Sequence, residues 1–361
     1  MTSAEKRDDF LNNKLAPRVP QDFEGALASV DQFLDDNPNL DNWDKVRLVS
    51  RAGYLLYFST PEAKRTAVAA ASLQFLDDKI QTIKTRDSGD PGWQSWQLRE
   101  LLDNKVKILL AEKRAPEAVK VLEQWQMLPP SFDSAMGDSF RWGEHWRAAQ
   151  NQQKQPDQAV SGLIKAFEDG LLRRPVFAQG FTTNIVAELL AQGKTEEALS
   201  WAKLEFLLSP FDEGAIRDAT KDVTSSLSAG ELSLAKVNLF ATAQTDAAAP
   251  NPLDKVKLPQ FDATAIRAQL ANPNDKSPFE VRLTALLAVG DTRSAMLLAK
   301  SQLIGDVTNQ DTALQVARVF KAKDGDLVRA NQFLAYYQLG QGDNPIPAFL
   351  KETETAAPAA G

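Results

Sequence analysis

The chain has 361 residues, 43% of them hydrophobic and 25% charged, with 41 basic against 48 acidic side chains and a net charge of -7. That composition is too apolar for a disordered chain, and its acidic excess argues against the broad basic face that nucleic acid requires. Zero cysteines and one histidine exclude disulfide frameworks, thiolate metal sites, iron–sulfur clusters, thiol nucleophiles and any site needing two imidazoles, so neither metal nor cofactor is expected.

The first residues, MTSAEKRDDF, are polar and lack the apolar stretch of a signal peptide. No window approaches 18 consecutive apolar residues, so no membrane insertion is expected. A cytoplasmic location follows as the expectation, with the periplasm or cell envelope as the alternative if a signal peptide has been removed. Apolar residues recur at spacings of three and four in Val46–Phe58, Val106–Leu110, Ile185–Leu190 and Leu283–Leu287, which predicts amphipathic helices. Ser59-Thr60-Pro61-Glu62 and Ser277-Pro278-Phe279-Glu280 read as capping boxes. Asp90-Pro91, Ala115-Pro116 and Gln155-Pro156 place proline where a helix can begin, since its missing N–H is not needed there. The pentapeptide QFLDD occurs at Gln32–Asp36 and again at Gln74–Asp78. Both acid pairs are expected at helix ends facing solvent. Adjacent residues do not share a helical face, so neither pair forms a glycosidase couple.

An internal repeat organises these helices. A glycine precedes an alanine by five residues at Gly193/Ala198, Gly230/Ala235, Gly290/Ala295 and Gly325/Ala330. The glycine supplies the positive φ of a tight turn after one helix, and the alanine fits where the next helix crosses it. Proline follows twelve residues later at Ala26/Pro38, Ala118/Pro130 and Ala198/Pro210. Taking Ala26, Val68, Ala118, Ala159, Ala198, Ala235, Ala295 and Ala330 as equivalent gives intervals of 42, 50, 41, 39, 37, 60 and 35 residues. The two long intervals contain an inserted loop at Thr85–Trp96 and a Pro/Ala-rich connector, Asp246–Leu270, with a short extra helix from about Asp262. The expected organisation is therefore a solenoid of about six hairpins over 1–245, the connector over 246–270, further hairpins over 271–350 and a disordered tail over 351–361.

The segments AELLAQGKTEEALSWAKLEFLLSP (187–210), LLAEKRAPEAVKVLEQWQMLPP (109–130) and ALLAVGDTRSAMLLAKSQL (285–303) resemble the second half of a tetratricopeptide repeat (TPR). Gly193, Ala198 and Pro210 stand at that family's turn, packing and terminal positions. The intervals mostly exceed the family's ~34 residues. The resemblance implies an all-α fold, a right-handed α-solenoid of about eight TPR-like helical hairpins. It further implies that the first helix of each hairpin lines a concave groove, with its sixth position turned to a ligand. Counting back from each equivalent alanine puts Asn12, Tyr54, Asn104, His145, Asn184 and Lys221 there, followed by Val281 and Val316. The position four earlier supplies Arg141 and Arg217, and the position three later supplies Lys107.

An Asn amide can bond both the N–H and the C=O of an extended chain, and Arg or Lys can meet a carboxylate. The expected function is thus a non-catalytic protein- or peptide-binding scaffold whose partner is an acidic or C-terminal segment. Trp142 joins the candidate groove residues Asn104, Lys107, Arg141, His145, Asn184, Arg217 and Lys221, because it shares a helical stripe with His145 and Trp146 between Arg141 and Arg147. Competing readings are a carbohydrate-active (α/α) toroid and a structural subunit of a cell-envelope assembly. Gly193-Lys194-Thr195 resembles the end of a phosphate loop, but position 188 is Glu188 and the preceding segment is helical, so a hairpin turn is expected.

Overall fold

Local chemistry starts each helix. Thr2 and Glu5 form a reciprocal capping box at the head of α1 (Ser3–Asp9), which continues through a π-helical turn (Phe10–Leu15) into the short α2 (Ala16–Arg18). Asp22 caps α3 (Phe23–Asp36) by accepting from Gly25 N, and Asp41 caps α4 (Asn42–Phe58) by accepting from Asp44 N at 2.8 Å. A 3-10 turn at Glu62–Lys64 leads into α5 (Arg65–Thr85). Asp90 then caps α6 (Pro91–Ala111) through Gly92 N and Trp93 N, with Pro91 in the first turn as predicted. The computed structural model describes residues 2–85, 90–129, 135–173, 175–208 and 257–305, apart from 261, 273, 275 and 276. The remaining described helices are α7 (Ala115–Gln126), α8 (Ala135–Gln152), α9 (Pro156–Arg173), α10 (Pro175–Ala191), α11 (Thr195–Leu208), α12 (Thr264–Leu270), α13 (Phe279–Ala288) and α14 (Thr292–Gly305). Among the described residues the regular structure is all helical, which is the all-α class expected.

Two expectations about helix ends need correction. Ser59-Thr60-Pro61-Glu62 is not a capping box: the Thr60 hydroxyl instead donates back to Leu56 O at 3.0 Å, closing α4. The second QFLDD pair lies inside α5 rather than at its end, with Asp77 paired to Lys105 and Asp78 accepting from Gln74 Nε2 at 2.7 Å. Gln32 bonds Asp36 in the same i,i+4 way, so the pentapeptide repeats a local bond in two different helical contexts.

The hairpin turns carry the repeat. Positive φ occurs at Lys113 (57°), Lys154 (59°), Gly193 (72°) and Gly290 (77°), each five residues before Ala118, Ala159, Ala198 and Ala295. All four alanines have 0% exposure. Each turn closes with the same pair of backbone bonds, such as Lys113 N to Leu110 O with Arg114 N to Leu109 O, and Gly193 N to Leu190 O with Lys194 N to Leu189 O. This is the Schellman closure, in which the N–H groups of the left-handed residue and of the residue after it satisfy the last helical carbonyls. The glycine pattern therefore reveals two of the four turns, while lysine holds the same conformation in the other two. At the α4–α5 junction the small buried residue is Ala69, whereas Val68 is half-buried, one residue away from the predicted register.

The chain divides into two compact units, Met1–Gly162 and Leu163–Gly361. In the first, α4, α6 and α8 pack side by side, and α5 and α7 pack against them. Its core includes Leu48, Leu56, Leu76, Leu101, Val106 and Trp125. In the second, α10 packs on α11, α13 touches both, and α14 packs on α13. Phe181, Ile185, Leu189 and Leu204 are buried there, and Trp201 meets Phe167 edge-on at 5.2 Å. Residues 246–256, Ala235, Ala330 and the tail 351–361 lie outside the described residues. Helix α12 occupies the place of the short helix expected after Asp262, whose side chain accepts from Thr264 N at 3.0 Å.

Candidate functional site

In the first unit, helical spacing assembles a charged face. Glu100, Asp103, Asn104 and Lys107 follow the i, i+3, i+4, i+7 pattern on α6, and Asp138, Arg141 and His145 do so on α8. Asp103 is the centre. Its Oδ1 lies 2.7 Å from His145 Nε2, and its Oδ2 accepts from Lys107 Nζ at 2.7 Å and from Arg141 at 3.5 Å. Arg141 also donates to Glu100 at 3.1 Å and Asp138 at 2.8 Å, and Arg99 reaches Asp138 at 3.1 Å and Pro129 O at 2.9 Å.

The Asp103 side chain is only 5% exposed. Burial pushes its carboxyl upward, but the His145 hydrogen bond and the charges of Lys107, His145 and Arg141 outweigh that and hold it at about 2. Burial likewise acts to lower the Arg141 guanidinium, while Asp103, Glu100 and Asp138 together raise it. Two cations and an imidazole around one carboxylate make this a satisfied network, which fixes α6 against α8.

In front of the network lies a groove of about 490 Å³. Its walls come from α1, the π-helical turn, α4, α6 and α8, with Asn12, Arg47, Arg51, Asn104, Lys107 and Arg141 among the lining residues. A π-helical turn carries an extra residue per turn and is often found at functional sites; here it brings Leu11 and Asn12 to the groove wall. Five basic residues line the groove against three acidic ones. Arg7 is engaged by Asp8 and Asp44, and Arg141 and Lys107 by the acids just described. Arg47 and Arg51 are exposed and form no ion pair among the described residues. Each instead stacks on an aromatic ring of its own helix, Arg47 over Trp43 at 5.8 Å and Arg51 over Tyr54 at 5.0 Å.

The sequence-predicted residues separate into distinct places. Asn12, Asn104, Lys107 and Arg141 do meet at one groove. Asn104 is spent on the fold, however: its Nδ2 lies 2.8 Å from Ser50 O and 2.7 Å from Ser50 Oγ, tying α6 to α4. His145 stands behind the groove, orienting Asp103, and Tyr54 supports Arg51 and Lys107 from below. Trp142 corrects the expectation of a groove residue, being 1% exposed, stacked on Trp146 at 5.1 Å and bonded through Nε1 to Leu122 O at 2.8 Å. The half-buried Trp146 ring packs against Gly162, which leaves room for it. Asn184 belongs to the second unit and is 1% exposed, with its amide near Gly180 O at 3.4 Å. Arg217 and Lys221 lie outside the described residues, as does Val316.

Sequence reasoning missed Arg47 and Arg51. Trp43, Arg47, Arg51 and Tyr54 form one helical stripe at i, i+4, i+8 and i+11, a signal present in the sequence but overlooked by counting a single position per hairpin.

His145 Nε2 bonds Asp103 at 2.7 Å. Among those residues no group of three or more His, Asp or Glu could hold a metal ion, and no helix is long and apolar enough to cross a membrane. The chain matches no family model, no curated protein and no solved structure.

Proposed function

We propose that the chain is a non-catalytic scaffold, a degenerate TPR-like solenoid of helical hairpins, whose N-terminal unit holds an acidic protein or peptide segment. The observation that supports this reading is the groove between α1, α4, α6 and α8, where every acid is ion-paired but Arg47 and Arg51 form no ion pair among the described residues, Asp8 near Arg47 being bonded by Arg7. An incoming carboxylate gains charge-assisted bonds to planar guanidiniums that the aromatic rings already hold in place. The four repeated hairpin turns support the solenoid, because stacking of similar hairpins gives a continuous curved surface suited to extended ligands. The net charge of -7 makes the local basic surplus selective: nucleic acid would meet repulsion outside the groove, whereas a short acidic segment would not.

Fluorescence anisotropy on the intact protein tests the reading with short acidic, neutral and basic peptides. The acidic peptides bind, their affinity falls with added salt, and the double variant Arg47→Glu/Arg51→Glu loses them. Failure of every acidic peptide to bind, or binding that survives the double reversal, overturns it.

A further inference from the structure

The face of α4 turned away from Arg47 and Arg51 borders a second cavity, and its lining is of another kind. We infer that this cavity holds the apolar chain of a small amphiphile with a carboxylate head, a fatty acid of medium length, with the head seated at Lys45. The cavity measures about 560 Å³ and lies among α3, α4, α5 and α6. Pockets for small ligands span about 300–1,000 Å³. The site is separate from the acidic-segment groove and stands whether or not that groove binds.

Helical spacing builds the cavity from four elements. Lys45, Val46 and Val49 share one stripe of α4, Lys79 and Ile83 one of α5, and Trp93, Gln97 and Leu101 one of α6, while Leu34 comes from α3. Leu34, Val46, Val49, Ile83 and Trp93 are each half-buried, so apolar side chains from all four helices leave part of their surface open to one recess. An acyl chain would remove that surface from water. The aromatic wall is already fixed: Trp93 stacks on Trp96 at 4.9 Å and meets Trp43 edge-on at 4.8 Å. Little side-chain freedom is then lost on binding.

Charge chooses the head group. Among the described residues no acid lines the cavity, and its only formal charges are Lys45 and Lys79. Lys79 is paired with Asp31. Lys45 Nζ donates to Pro38 O at 2.7 Å and forms no ion pair among the described residues. A backbone carbonyl is neutral, and an ammonium has three N–H donors, so two remain for a carboxylate. A cationic amphiphile would meet like charge at the same place. A sugar or nucleotide would set polar groups against Val46, Val49 and Ile83 without partners.

The test is isothermal titration calorimetry of the intact protein with hexanoate, octanoate and decanoate, and with decylammonium as the cation of equal length. Affinity is expected to rise about fourfold per added methylene. Decylammonium binds about tenfold more weakly than decanoate, and Lys45→Met, which keeps the apolar stem, weakens decanoate by about the same factor. Val49→Phe fills the recess and abolishes binding, whereas Lys120→Met, on α7 outside the cavity, leaves it unchanged. The double variant Arg47→Glu/Arg51→Glu keeps its affinity for decanoate, which separates this site from the groove. Loss of decanoate binding in that double variant assigns the ligand to the groove and overturns the inference. So does absence of decanoate binding, an affinity indifferent to chain length, decylammonium binding as tightly as decanoate, or an unchanged affinity in Lys45→Met.

Discussion

Asp103 in the first unit and Glu168 in the second are both withdrawn carboxylates on helices, yet their surroundings drive them in opposite directions. Around Asp103 the cost of burial is more than offset by His145, Lys107 and Arg141, and the carboxyl is held at about 2. Around Glu168, burial comes first and is joined by the negative charges of Asp262 and Asp169, which push the carboxyl up to about 7. Its Oε1 is buried without a hydrogen-bond partner among the described residues. The first unit spends its buried charge on a closed network beside a groove. The second keeps a carboxyl that is better accommodated with its proton on. What distinguishes the two is the company each helix face keeps, not the depth of the acid.

The strongest way to break the comparison is Asp103→Ala, which leaves Lys107, Arg141 and His145 around an empty place. A loss of about 3–5 kcal/mol is expected for the first unit, as for removal of one partner from a buried ion pair. Urea unfolding followed by tryptophan fluorescence reads this unit selectively, since six of the seven tryptophans precede Gly162. An unchanged midpoint would show that the network contributes nothing.

The pH dependences should have opposite signs. The lowered carboxyl of Asp103 contributes stability above the ordinary carboxylate range, and that contribution is lost as pH falls from about 4 to about 2. The raised carboxyl of Glu168 costs stability as its ionisation is forced, so the second unit weakens as pH rises from about 4.5 to about 7. Glu168→Gln is expected to stabilise that unit at pH 8 and to leave it unchanged at pH 4, with hydrogen exchange of α9 and α10 as the measurement. Equal effects at the two pH values would contradict the assignment.

The smallest effects concern the turns, and here too the units differ. The first uses lysine at positive φ and the second uses glycine. A left-handed residue with a side chain costs about 1–2 kcal/mol, partly offset by the flexibility of an unfolded glycine. Lys113→Gly and Lys154→Gly should therefore each add about 0.5–1 kcal/mol by thermal unfolding. Gly193→Ala should remove about 1 kcal/mol through backbone strain alone, since an added Cβ there meets nothing within 4 Å.

The same turns show what was legible in the sequence. Helical periodicity and the Gly-to-Ala spacing disclosed an all-α fold and the hairpin turns at Gly193 and Gly290, because a repeated backbone need recruits a repeated residue. The turns at Lys113 and Lys154 were concealed, because surrounding packing can hold an ordinary residue in a left-handed conformation without any mark in the sequence. The alanines at 118 and 159 did betray them, since the helix crossing still demands a small side chain. Site residues were harder. Counting along the helices found Asn12, Asn104, Lys107 and Arg141 at one groove, but periodicity cannot say which side of an aromatic stripe is covered, and Trp142 went to the core. Arg47 and Arg51 were invisible to a one-position rule because what sets them apart, the lack of an ion pair, shows only in the arrangement of neighbouring acids.

Helix α6 touches α4, α5, α7 and α8, and it also supplies the floor of the groove. Its amides can therefore exchange with solvent only when most of the first unit opens, while α1 at the rim can open by itself. A ligand settling on that floor meets a surface whose ordering was completed during folding. If the groove binds as proposed, little of the binding energy is then consumed in freezing the receptor.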